Sequence, residues 1–244
     1  MLILASPPLA ITYQLTHTLN YAAAPSPDGS QFASITVLRG KGQIFIPTSD
    51  GLHSKQITHD EFEYDDPQWS PDGSQILVTG VSESGERIFL INVDGSGLAP
   101  VTPPDIHAIH VVWFSDGKRI AYCADDDNRP NAENDAIYSI DVATHTVTTL
   151  IDGGVNTYPS ISPDMKRVTW RKVIADHNSE IFVTDINGSN AHNISNNASF
   201  DGWPAWSPTE KIRKKYRVRI QPIRGLSSFY DAARWIECSA GCRQ

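Results

Sequence analysis

The chain has 244 residues, of which 40% are hydrophobic and 20% are charged, and its formal net charge is −8. No stretch approaches the roughly 20 apolar residues that a membrane-spanning helix needs, which excludes a helical membrane span. Residues 211–244 hold nine of the 20 Lys and Arg but only two of the 28 Asp and Glu. The rest of the chain is therefore strongly acidic. Because an acidic surface repels phosphate backbones, we expect residues 1–210 to bind no nucleic acid.

The amino-terminal residues 1–19 are apolar but lack a basic region, so they are a poor signal peptide. We predict an N-terminal segment that can supply an outer strand. The three cysteines are too few for a disulfide framework. Cys123 lies in an apolar run and is predicted to be a core residue, while Cys238 and Cys242 lack partners at zinc-like spacing. We therefore predict no metal site and no cofactor.

A repeated turn motif organises the chain. Its successive copies are Ser26-Pro27-Asp28-Gly29, Ser70-Pro71-Asp72-Gly73, Ser115-Asp116-Gly117, Ser162-Pro163-Asp164 and Ser207-Pro208. The serines are 44, 45, 47 and 45 residues apart. Proline presets φ, aspartate bonds its own backbone and glycine accepts a positive φ, so each motif predicts a tight turn.

Short apolar strands follow the first four turns, at 31–38, 75–80, 119–124 and 167–171. A third strand, a second glycine turn and an edge segment come next in the best-formed units. Four strands in about 45 residues are typical of a β-propeller blade. We predict an all-β propeller with four-stranded blades at about 20–63, 64–108, 109–155 and 156–200, and the start of a fifth at 201–210.

The repeat resembles that of the TolB β-propeller family, which is WD-repeat-like, most closely at 69–73, 88–97 and 181–190. It is also similar to the propeller of prolyl oligopeptidase-type peptidases. The resemblance covers about residues 20–208. It implies a TolB-type propeller, a periplasmic or otherwise extracytoplasmic location, and a protein or peptide partner at the mouth of the central channel, as in the Tol-Pal envelope system.

Closure of the ring is not expected. Propellers that resemble TolB usually have six blades, and repeats shaped for six splay too widely for a four-fold ring. We expect an open arc whose exposed strand edges favour self-association.

Candidate binding residues come from the segment that precedes each innermost strand, six to three residues before the repeat serine. The candidates at this channel mouth, together with the nearby His107, are Tyr64, Asp65, Asp66, His107, His110, Asn156, Tyr158, Asp201 and Trp203. Aromatic and carboxylate side chains on one mouth suit a protein or peptide ligand. The alternative is that Tyr158 and Trp203 pack between blades. The residues beside the serines, Trp69, Phe114 and Trp206, are predicted inter-blade core.

Catalytic motifs are missing from the sequence. It has no G-x-S-x-G elbow, H-E-x-x-H, P-loop or G-x-G-x-x-G. His107 and His110, three residues apart on an extended segment, point to opposite faces and chelate a metal poorly. We predict a non-catalytic scaffold that binds a protein or peptide. The alternative is the substrate-gating propeller of an oligopeptidase-like or lyase-like enzyme.

The tail at 211–244 interrupts the repeat, because a basic run replaces the strand expected after Ser207-Pro208. When the reading frame is advanced by one base through 215–225, degenerate codons can spell Asn-Ile-Ala-Tyr-Ala-Ser-Asn-Arg-Ser-Gly, which is the missing strand and loop. We predict that a frameshift truncated a longer propeller and that the tail is poorly ordered. A functional basic tail that binds nucleic acid or anionic lipid is the alternative.

Overall fold

The computed structural model describes residues 20–47, 53–82, 85–104, 106–125, 135–175, 178–197, 200–207, 212–218 and 232–238. This part of the chain is all β, and it contains no helix long and apolar enough to cross a membrane. Its strands form five antiparallel sheets, four with four strands and one with three. The predicted fold class, an incomplete propeller of four full blades and part of a fifth, is confirmed.

Each sheet is a meander in which neighbouring strands follow one another in the chain. The first holds β1 (Asn20–Pro25), β2 (Phe32–Leu38), β3 (Lys41–Pro47) and β4 (Ser54–Gln56). The second holds β5 (Glu63–Trp69), β6 (Gln75–Ser82), β7 (Gly85–Asn92) and β8 (Ala99–Pro100). The third holds β9 (His107–Trp113), β10 (Arg119–Asp125), β11 (Asp135–Asp141) and β12 (Val147–Ile151).

The last two sheets follow the same plan. The fourth holds β13 (Asn156–Ile161), β14 (Arg167–Ala175), β15 (Asn178–Asp185) and β16 (His192–Asn193). The fifth holds β17 (Gly202–Trp206), β18 (Ile212–Val218) and β19 (Ala232–Cys238).

Successive sheets pack through their first strands. Strand β1 contacts β5, β5 contacts β9, β9 contacts β13, and β13 contacts β17. These five strands are therefore the innermost strands of successive blades. No comparable packing joins β1 to β17 among the described residues, so the series of sheets is an open arc, as the sequence predicts.

Tryptophan side chains tie blades together at the end of the innermost strand. The Nε1 atom of Trp69 donates a hydrogen bond to the Ala24 carbonyl of the preceding blade, at 2.9 Å. The Nε1 atom of Trp113 donates to the Gln68 carbonyl at 3.3 Å, and that of Trp206 donates to the Ser160 carbonyl at 3.1 Å. Each contact spans 45 or 46 residues, one repeat of the chain.

The apolar core lies between neighbouring blades in three clusters. Trp69 belongs to the cluster between the first two blades, and Phe114 and Cys123 belong to the cluster between the third and fourth. Phe114 and Cys123 have no exposed surface. Trp206 is only partly buried, with the Arg167 guanidinium carbon 4.5 Å from its ring centroid.

The repeated turn is held by its serine. In the second blade, the Ser70 hydroxyl donates to Asp72 Oδ1 at 2.6 Å and accepts from the Gln75 backbone N–H at 3.0 Å. Ser26 and Ser162 make the same pair of bonds in their own turns. The hydrogen bond from Ser26 is the main cause that lowers the pKa of Asp28 to about 2.

The third turn departs from the predicted alignment by one residue. Phe114, not Ser115, takes the position of the serine, because its N–H bonds the Arg119 carbonyl at 2.9 Å as Ser70 N–H bonds that of Gln75. The alignment on Ser115 was therefore wrong. The Arg119 side chain replaces the missing hydroxyl: it donates twice to Asp116 Oδ2, at 3.1 and 2.9 Å, and covers the Phe114 ring.

Part of the tail continues the fifth sheet. Strand β18 pairs with β17, and β19 pairs with β18. The predicted poorly ordered tail thus contains two stretches with strand backbone. The origin of the tail in a frameshift stays a prediction. The predicted outer strand of the N-terminal segment 1–19 lies outside the described residues.

Candidate functional site

The five innermost strands each carry one residue in the left-handed backbone region. These residues are Ala22, Asp66, His110, Tyr158 and Trp203, with φ between 50° and 53°. Each stands four residues before the residue that opens the repeated turn. The pairing register shifts at every one of these positions, as it does at a β-bulge. The same local geometry is thus repeated in five successive blades.

This conformation is unfavourable for a residue with a Cβ, by roughly 1–2 kcal/mol, so the rest of the fold must impose it. A bulge turns its side chain away from the ordinary strand alternation. Four of the five bulge residues line one cleft as a result: Asp66, His110, Tyr158 and Trp203.

The cleft has a volume of about 720 Å³ and is lined mainly by β5, β9, β13 and β17. Of the residues predicted from the sequence, it brings together Asp65, Asp66, His110, Tyr158 and Trp203. Thr79, Val81 and Glu86, from the second and third strands of the second blade, complete one wall. The central face of the open arc is therefore a cleft with mixed polar and aromatic walls.

Aromatic rings form a continuous row along the cleft. The ring centroids of His110 and Tyr158 are 3.7 Å apart, and those of Tyr158 and Trp203 are 5.4 Å apart. Phe200 extends the row, with its centroid 5.6 Å from that of Trp203. Since the rings come from different blades and pack on one another, the row presents a broad and rigid surface.

Arg171, on β14, supports this row without being one of the residues that line the cleft. Its guanidinium carbon lies 4.9 Å from the Tyr158 ring centroid and 5.4 Å from that of Phe200. Its Nε is buried and makes no hydrogen bond to the described residues. Burial lowers the pKa of Arg171. Two aromatic faces therefore contact the cation.

His110 lies against a buried thiol. Its Nδ1 is 3.1 Å from Cys123 Sγ, which also lies 3.4 Å from the Ile109 carbonyl oxygen. Burial, with a smaller effect of the Arg171 charge, lowers the pKa of His110 to about 4. Burial raises the pKa of Cys123 to about 12. Both groups are therefore neutral at pH 7.

Carboxylates from the second blade also line the cleft. Burial raises the pKa of Asp66 to about 6, opposed by a hydrogen bond from Gln68 and assisted by the charge of Asp65. The Gln68 amide donates to Asp66 Oδ1 at 3.3 Å. Asp65 is exposed and accepts the Asp66 backbone N–H at 2.7 Å. Within the described part of the chain, no three His, Cys, Asp or Glu side chains are grouped to hold a metal ion.

The comparison with known proteins agrees with this geometry. The sequence profile of the TolB beta propeller domain matches residues 12–211. The chain belongs to the TolB β-propeller family. A search of the curated proteins finds no match.

Solved structures share the fold of this TolB-family chain. TolB from Acinetobacter baumannii matches with a TM-score of 0.62 and 20% identity over 75% of this chain and 45% of that one. The putative TolB from Agrobacterium tumefaciens matches with a TM-score of 0.68 and 23% identity, over 82% of this chain and 70% of that one. An oligogalacturonate lyase in complex with manganese matches with a TM-score of 0.65 and 16% identity, over 80% of this chain and 61% of that one. The chain spans less than half the length of the Acinetobacter TolB.

Three predicted site residues of the TolB-family chain lie in the interior instead of the cleft lining: Tyr64, Asn156 and Asp201, none more than 1% exposed. They stand two residues before a bulge residue, on the face that packs into the blade. The Tyr64 hydroxyl donates to Asp60 at 2.6 Å, and the Asn156 amide donates to the Gly154 carbonyl at 2.8 Å. Asp201 accepts from the Asn197 amide at 2.7 Å.

His107 also lies away from the cleft lining. Its ring packs over Gly85, where an added Cβ would come within 2.6 Å of it. Sequence reasoning missed Glu86, Arg171 and Phe200, which lie outside the segments before the turns. The prolines that follow three of the bulge residues, Pro67, Pro159 and Pro204, are the sequence signal that marks the bulge.

Proposed function

We propose that this TolB-family propeller is a non-catalytic scaffold that binds a protein or peptide in its central cleft. One observation carries the proposal: four successive innermost strands use an unfavourable backbone conformation to direct Asp66, His110, Tyr158 and Trp203 into the same cleft. Bulges are over-represented next to functional sites, and residues in unfavourable backbone conformations cluster at ligand-binding positions, which favours a ligand-binding role for these four.

The lining suits an extended peptide. Tyrosine and tryptophan are enriched among the residues that dominate protein interfaces, since they bury large rigid surfaces. Here Tyr158 and Trp203 are already fixed by their neighbours, so ordering them costs little on binding. A cleft of about 720 Å³ accommodates a few residues of a partner chain.

A catalytic role is less well supported. Next to the cleft, Cys123 and His110 form a pair of a thiol and an imidazole, but Cys123 does not line the cleft. A thiol with no exposed surface and a pKa of about 12 is a poor nucleophile at neutral pH.

The alternative function is the substrate-gating propeller of an oligopeptidase-like or lyase-like enzyme. The likeness to an oligogalacturonate lyase favours keeping it as a second candidate. The carboxylates of Asp65, Asp66 and Glu86 disfavour a polyuronate substrate, because they would repel its negative charges.

The proposed setting is extracytoplasmic, in a Tol-Pal-like envelope assembly, by resemblance to the family. Self-association belongs to the same proposal, because the ends of an open arc offer unpaired surfaces to a second copy. The basic tail is not part of the proposed binding site.

The test is capture of envelope lipoproteins on the immobilised chain, with Trp203→Ala and Tyr158→Ala as cleft variants. The matched control is Val147→Ala, an exposed position on β12. We expect capture by the wild type and by the control, and its loss in both cleft variants. Turnover of dipeptide or polyuronate substrates, with or without added metal, that disappears in His110→Ala would favour the alternative.

A further inference from the structure

The cleft carries negative charge at neutral pH. Its lining includes three carboxylates, Asp65, Asp66 and Glu86, all from the second blade. His110 is neutral there because burial holds its pKa near 4. The nearby cation, Arg171, lies behind the Tyr158 ring and is not one of the residues that line the cleft. Charge complementarity therefore favours a cationic ligand group.

Asp66 has an incomplete hydrogen-bond shell. Its Oδ1 accepts one bond, from the neutral amide of Gln68, at 3.3 Å. Its Oδ2 accepts none from the described residues, and it is not sealed from solvent. A carboxylate that has lost part of its hydration without gaining a charged partner is well placed to bind an ammonium or guanidinium group.

The aromatic row supplies the other half of the binding surface. Lysine and arginine combine a charged head with an apolar stem, and the stem packs well on aromatic rings while the head contacts a carboxylate. Tyr158 and Trp203 line the same cleft as Asp66.

We propose that the cleft selects a basic residue of an extended peptide, with the lysine or arginine head at the Asp66 carboxylate and the stem on the aromatic row. This inference rests on the proposed function and names the chemistry of the partner: a protein segment that offers a lysine or arginine in an extended, accessible stretch. Capping the peptide removes its free amino terminus, so the cationic group that contacts Asp66 must come from a side chain.

The experiment measures the affinity of the full chain for capped Ala-Tyr-Pro-Xaa-Pro-Tyr-Ala peptides in which Xaa is Lys, Arg, norleucine or Glu. Norleucine keeps the lysine stem without its charge. We expect Lys and Arg to bind about tenfold more tightly than norleucine, and Glu to bind more weakly still. In Asp66→Asn the preference should fall to about twofold or less. A cooperative unfolding transition of this variant, monitored by tryptophan fluorescence, shows that it is folded.

The control is Glu63→Gln, which removes the same charge from an exposed position on the same strand and should keep the preference. Equal affinities for all four peptides, or a preference that survives Asp66→Asn, overturn the inference but leave the proposed function. If no peptide binds the wild type, or if Trp203→Ala weakens none of them, the proposed function fails and the inference fails with it.

Discussion

The imidazole of His110 lies on the phenol ring of Tyr158, with centroids 3.7 Å apart and ring planes at 32°, although the residues belong to different sheets. Both stand at the bulge of an innermost strand. The stacking joins two blades at the surface of the cleft. The bulges therefore shape the cleft and also bring together side chains that are 48 residues apart in the chain.

Glycine at a bulge should remove the backbone strain of a positive φ without changing the fold. Ala22 is the best position for this test, because it is the one bulge residue that does not line the cleft. Its φ is 50° and its side chain is exposed. We expect Ala22→Gly to raise the free energy of unfolding by about 0.5–1 kcal/mol, because the gain at positive φ exceeds the entropy that glycine adds to the unfolded chain.

The matched control is Ala23→Gly, exposed on the same strand and without a positive φ. That change should lower the free energy of unfolding by about 0.5–1 kcal/mol. Denaturant unfolding monitored by tryptophan fluorescence measures both. Equal destabilisation of the two variants would contradict the left-handed conformation at Ala22.

The blade architecture could be predicted from the sequence because turn chemistry and strand alternation are local signals. The third blade shows where local signals fail. Ser115 looks like the repeated serine, but Phe114 takes that position, since Arg119 bonds Asp116 and covers the Phe114 ring. A shortened motif allows two alignments, and the hydrogen bonds within the folded turn decide between them.

The cleft was only partly predictable for a related reason. Strand alternation does not predict where a bulge turns a side chain, so the candidate set mixed cleft residues such as Tyr158 with interior residues such as Asn156. Arg171 and Phe200 reach the aromatic row from other elements. Such contacts depend on the angle between blades, which no single repeat encodes.

Removal of the turn hydroxyl at Ser70 should destabilise the protein. Ser70 is 3% exposed, and its hydroxyl donates to Asp72 and accepts from the Gln75 N–H. We expect Ser70→Ala to lower the free energy of unfolding by about 1–3 kcal/mol, because two buried hydrogen bonds are lost. The control, Ser74→Ala, removes an exposed hydroxyl that also bonds Asp72, and should cost about 0.5 kcal/mol or less.

The same pair of variants tests the electrostatics of the turn. The Ser70 hydrogen bond is the main cause that lowers the pKa of Asp72 in the folded state. Its stabilising effect is therefore present above pH ~4 and is lost as the pH falls further. Ser70→Ala should make unfolding less dependent on pH in this acid range. A difference between Ser70→Ala and wild type that stays constant down to pH ~2 would contradict this assignment.

Asp66 should have the opposite effect on the dependence of stability on pH. Its pKa is raised to about 6 when folded, so the folded state holds a proton that the unfolded chain releases near pH 4. Stability should therefore fall between pH ~4 and ~6, by about 3 kcal/mol at most, and stay constant above pH ~6. Asp66→Asn removes this decline and stabilises the protein at pH 7.

The groups that share the cleft with Asp66 are Asp65 on its own strand, Glu86 on β7 and His110 on β9. A basic peptide should favour ionised Asp66, so affinity should rise over the same pH interval in which the free protein loses stability. Glu63→Gln is the control and should keep the wild-type pH dependence of unfolding. A wild-type profile without a decline between pH ~4 and ~6 would contradict the burial of the Asp66 carboxylate.

Cys123 should resist thiol reagents until the blades separate. It has no exposed surface, and its pKa is raised to about 12, so the thiolate fraction at pH 8 is roughly three orders of magnitude below that of an ordinary cysteine. In a Cys238→Ser, Cys242→Ser background, labelling by a disulfide reagent should be at least about a thousandfold slower in the native than in the denatured protein.

His110→Ala should speed native labelling, because the imidazole lies 3.1 Å from Sγ and shields it on the cleft side. Val147→Ala, on the exposed edge strand, should leave the rate unchanged. Rapid labelling of the native protein, or a rate that His110→Ala does not alter, would show that His110 does not cover the thiol.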